Sequence, residues 1–141
     1  MKTIPVEIIT PEKLVLKDEM ESIVIPSYEG ELGILPGHTH LLAQIQPGEI
    51  SLTKNKETKY FVVSGGFAEV HPDKVEIFAE TAELGEELDF ERAKQALEKA
   101  KFQLKEGKDI LPAGLAMRRA LARLKVVERV QVQRKKRKIQ N

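Results

Sequence analysis

Two periods divide this chain. Up to about residue 83, apolar positions recur every second residue, as half-buried strands require. From about residue 88 they recur at spacings of three and four, as helix faces require. Val6 and Ile8 alternate with Glu7 and Ile9, and Ile50 and Leu52 alternate with Ser51 and Thr53. Ile23, Val24 and Ile25 form a continuous apolar run, and residues 60–63, 67–70 and 75–78 complete the set. Turn signals lie between them. Residues 30–48, GELGILPGHTHLLAQIQPG, hold Gly30, Gly33, Pro36, Gly37, Pro47 and Gly48 at intervals too short for a helix. Glycine supplies positive φ and proline fixes φ, so this spacing predicts tight turns between short strands. Residues 61–83, FVVSGGFAEVHPDKVEIFAETAE, read as two strands around Ser64, Gly65 and Gly66. A turn at His71, Pro72, Asp73 and Lys74 and a third strand follow. Residues 54–57, around Asn55, read as a hairpin tip. The expectation is an α+β chain, mainly β at its N-terminus, with a β-sandwich over residues 1–85.

Residues 86–141 read as an antiparallel pair of helices. Asp89 is suited to cap the first, because its carboxylate can accept the free N–H groups of the opening turn. Ala93, Ala96, Leu97, Ala100 and Leu104 make its apolar face, and Gly107 ends it. Asp109 and Pro112 restart a second helix with a stripe of Met117, Ala120, Leu121, Leu124 and Val127. Stripes so rich in alanine bury little area, so the hairpin must lean on the sandwich or on a partner. Closing it at residues 107–110 sets Arg92 near Arg123 and Lys125, and Lys99 near Arg118 and Arg119. Arg119 and Arg123, four apart, share a face. Cations stacked in this way repel unless carboxylates such as Glu91 and Glu98, or an anionic ligand, attend them.

The chain has 141 residues, a net charge of +1 and no cysteine. Disulfides and thiolate metal sites are therefore excluded. Acid predominates in the first part and Arg and Lys crowd residues 118–138, which points the tail toward an anionic partner. No apolar run reaches the roughly 20 residues that span a bilayer. No signal-peptide core opens the sequence, so the chain is expected to stay inside the cell. No P-loop is present. Ser64 lacks the G-x-S-x-G setting of a nucleophile elbow and reads as part of a turn or bulge. The Gly30–Gly33 spacing matches the clamp loop of KH domains, but that loop joins helices and strands surround this one. His38 and His40 could begin a zinc site, but no third ligand is evident nearby, so no metal centre is expected.

The blocks at 30–48 and 61–83, followed by a helical tail, closely resemble the epsilon subunit of bacterial F-type ATP synthases. The resemblance runs from about Ile4 to Val130. It implies a non-catalytic subunit of the central stalk, peripheral on the cytoplasmic face of the cell membrane as part of that complex. The sandwich would couple the gamma subunit to the membrane-embedded c-ring, with the turns bearing Glu31 and His38 on the ring. Thr39 and His40 depart from the small residue and proline expected after His38. The hairpin would extend along gamma, where a basic face of Arg118, Arg119, Arg123, Lys125 and Arg129 meets the beta and alpha subunits and blocks ATP hydrolysis. Leu88 to Ala93, LDFERA, match the pattern [I/L]-D-x-x-R-A of epsilon subunits that bind ATP as a regulatory ligand. The matching nucleotide residues are Glu83, Asp89, Arg92, Arg119 and Arg123, and Lys99 stands where arginine would grip phosphate better. No obligatory cofactor is implied. The rival class is a nucleic-acid-binding module using the basic C-terminal helix. Against it, the β half is acidic and aromatics do not interleave with the arginines. A small β-sandwich enzyme lacks any nucleophile–base pair to support it.

Overall fold

The computed structural model describes residues 2–88, 90–107 and 110–140, the side chains of 110–113 and 134–140 excepted. Ten strands lie among them: β1 (Ile4–Ile9), β2 (Leu14–Met20), β3 (Ser22–Ser27), β4 (Gly30–Ile34), β5 (Leu41–Ile45), β6 (Gly48–Lys54), β7 (Glu57–Val63), β8 (Gly66–Val70), β9 (Val75–Ala79) and β10 (Ala82–Leu84). A 3-10 turn over Gly85–Glu87 leads to α1 (Phe90–Lys105) and α2 (Ile110–Gln140). The hydrogen-bonded order is β10-β7-β6-β3-β5-β8-β9-β1-β2, with β4 on the other side of β3. All pairings are antiparallel except β1 with β9. One half of this path folds over the other, joined where Ser27 of β3 meets Ile45 of β5.

Alternation explains the core. Ile4, Val6 and Ile8 of β1, Ile23 and Ile25 of β3, Ile50 and Leu52 of β6, and Val75 and Ile77 of β9 point inward and are buried. The expected β-sandwich followed by a helical pair is the architecture found. Residues 14–20 and 30–34, which carry weaker alternation, are also strands. The tip of the β6–β7 hairpin puts Asn55 and Lys56 at φ 52° and 64°. Two left-handed residues match the twist of the flanking strands. At the β7–β8 junction Gly66 has φ 146°, and a Cβ there would lie 1.9 Å from the Phe78 carbonyl oxygen. Only glycine fits. Ser64 is a clasp: its Oγ accepts bonds from the N–H and hydroxyl of Thr81 at 3.0 and 2.7 Å.

The stripe of α1 is as read: Ala93, Leu97 and Ala100 are buried, and Ala96 and Leu104 half-buried. Gly107, at φ 71°, closes the helix. Asp89 and Asp109, expected at the helix starts, lie outside the described residues. On α2, Ala120 and Val127 are buried, but Leu121 is 45% exposed and falls off the covered face. A second face of α2 escaped the stripe. Ala122, Val126 and Val130 pack on Val62 of β7, with Tyr60 and Leu88 alongside. Val62 therefore looks outward onto the helix while Phe61 and Val63 look into the core. The hairpin leans on the sandwich, along β6, β7 and the 3-10 turn. Among the described residues, no helix is long and apolar enough to cross a membrane.

Candidate functional site at the foot of the hairpin

The chain passes from β10 through the 3-10 turn into α1 beneath α2. This path leaves an open cavity of about 280 Å³ lined by Glu83, Glu87, Leu88, Arg92, Ala93, Ala96 and Arg123. Each residue is placed by its element. Glu83 pairs with Val62 in the β10–β7 ladder. Arg92 belongs to the first turn of α1, and the methyl-sized Ala93 and Ala96 leave the room beside it. Arg123 reaches down from α2, where its Nε and Nη2 both donate to Glu83 Oε1, at 3.1 and 2.5 Å. Charge-assisted bonds of this kind are the stronger class.

Three of the five nucleotide residues expected from the sequence, Glu83, Arg92 and Arg123, thus line one cavity. Arg119 is half-buried one turn along α2, outside the lining, and Asp89 lies outside the described residues. The expected repulsion among stacked cations is corrected in one respect: Glu83 neutralises Arg123 directly. Glu87 and Leu88 are lining residues that the spacing did not single out.

The basic face of α2 is divided. Arg118 is exposed, and among the described residues neither it nor Arg119 makes an ion pair. Lys125 turns toward the sandwich rather than toward Arg92, with its Nζ 3.6 Å from Glu49 Oε1. Arg129 donates to the same carboxylate oxygen through Nη1 and lies over the Tyr60 ring, 5.6 Å from its centre. Glu49, on β6, keeps only 12% of its side chain in water. Its partners lie 76 and 80 residues away, so no local pattern announces it. Val126 Cγ1 would be 2.5 Å from a Cβ at Gly85, so glycine there lets the helix close on the sheet.

Of the two residues assigned to the ring, His38 lies in a loop as expected and Glu31 does not. Glu31 is exposed but belongs to β4, paired with Pro26, rather than to a turn. His38 is half-buried in the β4–β5 loop, its Nδ1 donating to the Thr39 carbonyl at 2.8 Å. His40 joins His71, its stacked neighbour across the strands, and not His38. On the outer face of the β5-β8-β9 sheet Leu42, Phe67 and Phe78 are 69%, 51% and 42% exposed. Phe67 and Phe78 are direct cross-strand partners, so these side chains form a patch.

Comparison with known proteins agrees with this division. Residues 3–85 match the family described as "ATP synthase, Delta/Epsilon chain, beta-sandwich domain", and residues 86–128 match "ATP synthase, Delta/Epsilon chain, long alpha-helix domain". The ATP synthase epsilon chain of Koribacter versatilis is 52% identical over 102 residues, 72% of each chain. That of Moorella thermoacetica is 45% identical over 129 residues, 89% of this chain and 96% of its own. A chain in the cryo-EM structure of the Euglena gracilis mitochondrial ATP synthase, OSCP/F1/c-ring, superposes with a TM-score of 0.78 at 26% identity, covering 85% of this chain and 78% of that one. The chain therefore belongs to the ATP synthase delta/epsilon family, as a non-catalytic subunit of the epsilon type.

Proposed function

We propose that this subunit is part of the rotor of a proton-translocating ATP synthase and carries its own releasable brake. The sandwich joins gamma to the c-ring, so that rotation driven in the membrane reaches the catalytic head. The Leu42, Phe67 and Phe78 patch suits gamma, because exposed apolar side chains gathered on one face mark protein-interaction surfaces. The end bearing Glu31 and His38 faces the ring. The subunit then sits peripherally on the cytoplasmic side of the cell membrane.

The observation that carries the brake is the docking of α2. Arg123, Lys125 and Arg129 are engaged by Glu83 and Glu49, so the compact hairpin holds much of its basic face against the sandwich. Partly exposed pairs are each worth about 0–1 kcal/mol, and burial of Val126 and Val130 adds about 1.5–3 kcal/mol apiece. Such a contact is firm enough to persist and weak enough to open. Once open, the same cations can meet acidic segments of the beta and alpha subunits and stop ATP hydrolysis. ATP bound at Glu83, Arg92 and Arg123 would bias the equilibrium toward the compact form, since a ligand shifts two states by its differential affinity. Its phosphates would share Arg123 with Glu83.

Removing residues 86–141 in the assembled synthase should raise ATP hydrolysis and leave synthesis intact. Equal hydrolysis by truncated and full-length complexes across ATP concentrations would refute the brake. Calorimetric titration of the isolated chain with ATP should give a heat that Arg92→Ala abolishes; no heat at millimolar ATP would refute the nucleotide site alone. Nothing in the geometry favours nucleic acid, because three of the cations it would need face carboxylates of the same chain.

A further inference from the structure

We propose that His40, Glu69 and His71 form a binding site for one divalent transition-metal ion, zinc being the best fit, at the rim of the outer sheet face. The β5–β8 register places them. Leu41 pairs with Val70, so His40, just before β5, stands opposite His71, just after β8. Glu69 precedes His71 by two residues and shares its face. The His40 and His71 rings stack with centres 4.5 Å apart and 16° between their planes. Glu69 Oε1 lies 3.0 Å from His71 Nε2 and 3.9 Å from His40 Nε2. One ligand atom from each residue falls within 4.8 Å of the others.

Zinc bonds nitrogen and oxygen at about 2.0–2.2 Å, so ligand atoms about 3.5 Å apart satisfy it. Imidazole lone pairs lie in the ring plane, so to bind the ion the His40 ring, 61% exposed, must swing out of its stack on His71. Two imidazoles and a carboxylate suit zinc, copper or nickel, whereas magnesium and calcium prefer all-oxygen sets. The backbone beneath the three is fixed by other bonds. Gly37 N–H donates to the Pro72 carbonyl at 3.0 Å, and His71 N–H to the Lys74 carbonyl at 2.8 Å. The chain offers few competing imidazole or thiolate ligands, having three histidines and no cysteine. The third, His38, points its Nδ1 at the Thr39 carbonyl. A bound ion would tie the β4–β5 loop to the end of β8 and add to the stability of the folded state by mass action. This site is separate from the cavity at the foot of the hairpin, and its test is independent of the brake.

The experiment is titration of the full-length chain with zinc alone, in chelator-free buffer, followed by calorimetry and by the thermal midpoint. One-to-one saturation and a rising midpoint are expected, with magnesium inert at the same concentration. His40→Ala and His71→Ala should each weaken binding at least about tenfold, since loss even of a supporting partner costs about 10–100-fold. His38→Ala should leave binding unchanged. Copper added to the ¹⁵N-labelled wild-type chain should broaden resonances around His40, Glu69 and His71, a readout that needs no variant to fold. Absence of saturation up to millimolar zinc, binding indifferent to His40→Ala and His71→Ala, loss with His38→Ala, or broadening centred elsewhere would each overturn the site.

Discussion

At the scale of single residues, two positions show how local chemistry fixes the sandwich. Gly66 brings β8 so near the Phe78 backbone that any side chain collides with it. Gly66→Ala should cost about 3 kcal/mol or more, a large loss for a small domain, read as a fall in the denaturation midpoint. Asp18 sits where β2 crosses toward the β6–β7 tip. A bond from the Glu19 N–H, helped by Lys54 at 3.3 Å, holds its carboxyl below the usual carboxylate value. A depressed folded value means stabilisation that is present above the ordinary carboxylate range and fades as pH falls toward the folded value. Asp18→Asn should therefore lower stability near neutrality and flatten the loss of stability below about pH 4. An acid limb identical to that of the wild-type chain would contradict this. The need for glycine between Ser64 and Phe67 was legible from the sequence. The Asp18–Lys54 contact was not, because Lys54 lies 36 residues away on a different strand.

At the scale of elements, α2 has two jobs and its sequence advertised one. A stripe at three and four spacing predicted its contact with α1, and most of that stripe is covered. Ala122, Val126 and Val130 make a second row, a third of the way round the helix, and short alanine and valine side chains give it too little hydrophobic weight to stand out. The matching signal was on the strand: Phe61, Val62 and Val63 are all buried, and an uninterrupted apolar run means that both faces of β7 are covered. Val126→Ala should loosen the hairpin by about 2 kcal/mol, two methyl groups with partial relaxation of the gap. Gly85→Ala should act in the same direction through its clash with Val126. In both variants limited proteolysis should cut faster between the sandwich and α1 while the β domain survives. Unchanged cleavage would show that the row on Val62 does not hold the helix. The candidate cavity was half legible. LDFERA and the antiparallel closure brought Arg92 to Arg123, but the pairing of Arg123 with Glu83 depends on the β10–β7 register, which spacing does not reveal.

At the scale of the whole molecule, the buried large apolar side chains lie in residues 4–79, Leu97 apart, and among the described residues the hairpin buries mostly alanine and valine. A fragment of residues 1–85 should therefore fold alone, with a β circular dichroism spectrum and a cooperative melt. An unstructured fragment would show that the hairpin is part of the core. That imbalance makes release of the hairpin inexpensive, and the absence of cysteine gives a direct way to prevent it. Val62→Cys with Val126→Cys places a pair of thiols across the docked surface. The decisive measurement is ATP hydrolysis by the assembled synthase carrying this double variant, oxidised and then reduced, at low ATP. Fast hydrolysis is expected when the disulfide pins α2 to the sandwich, with inhibition restored on reduction. Equal inhibition in both states would mean that the hairpin brakes without leaving the sandwich, and would overturn the releasable brake.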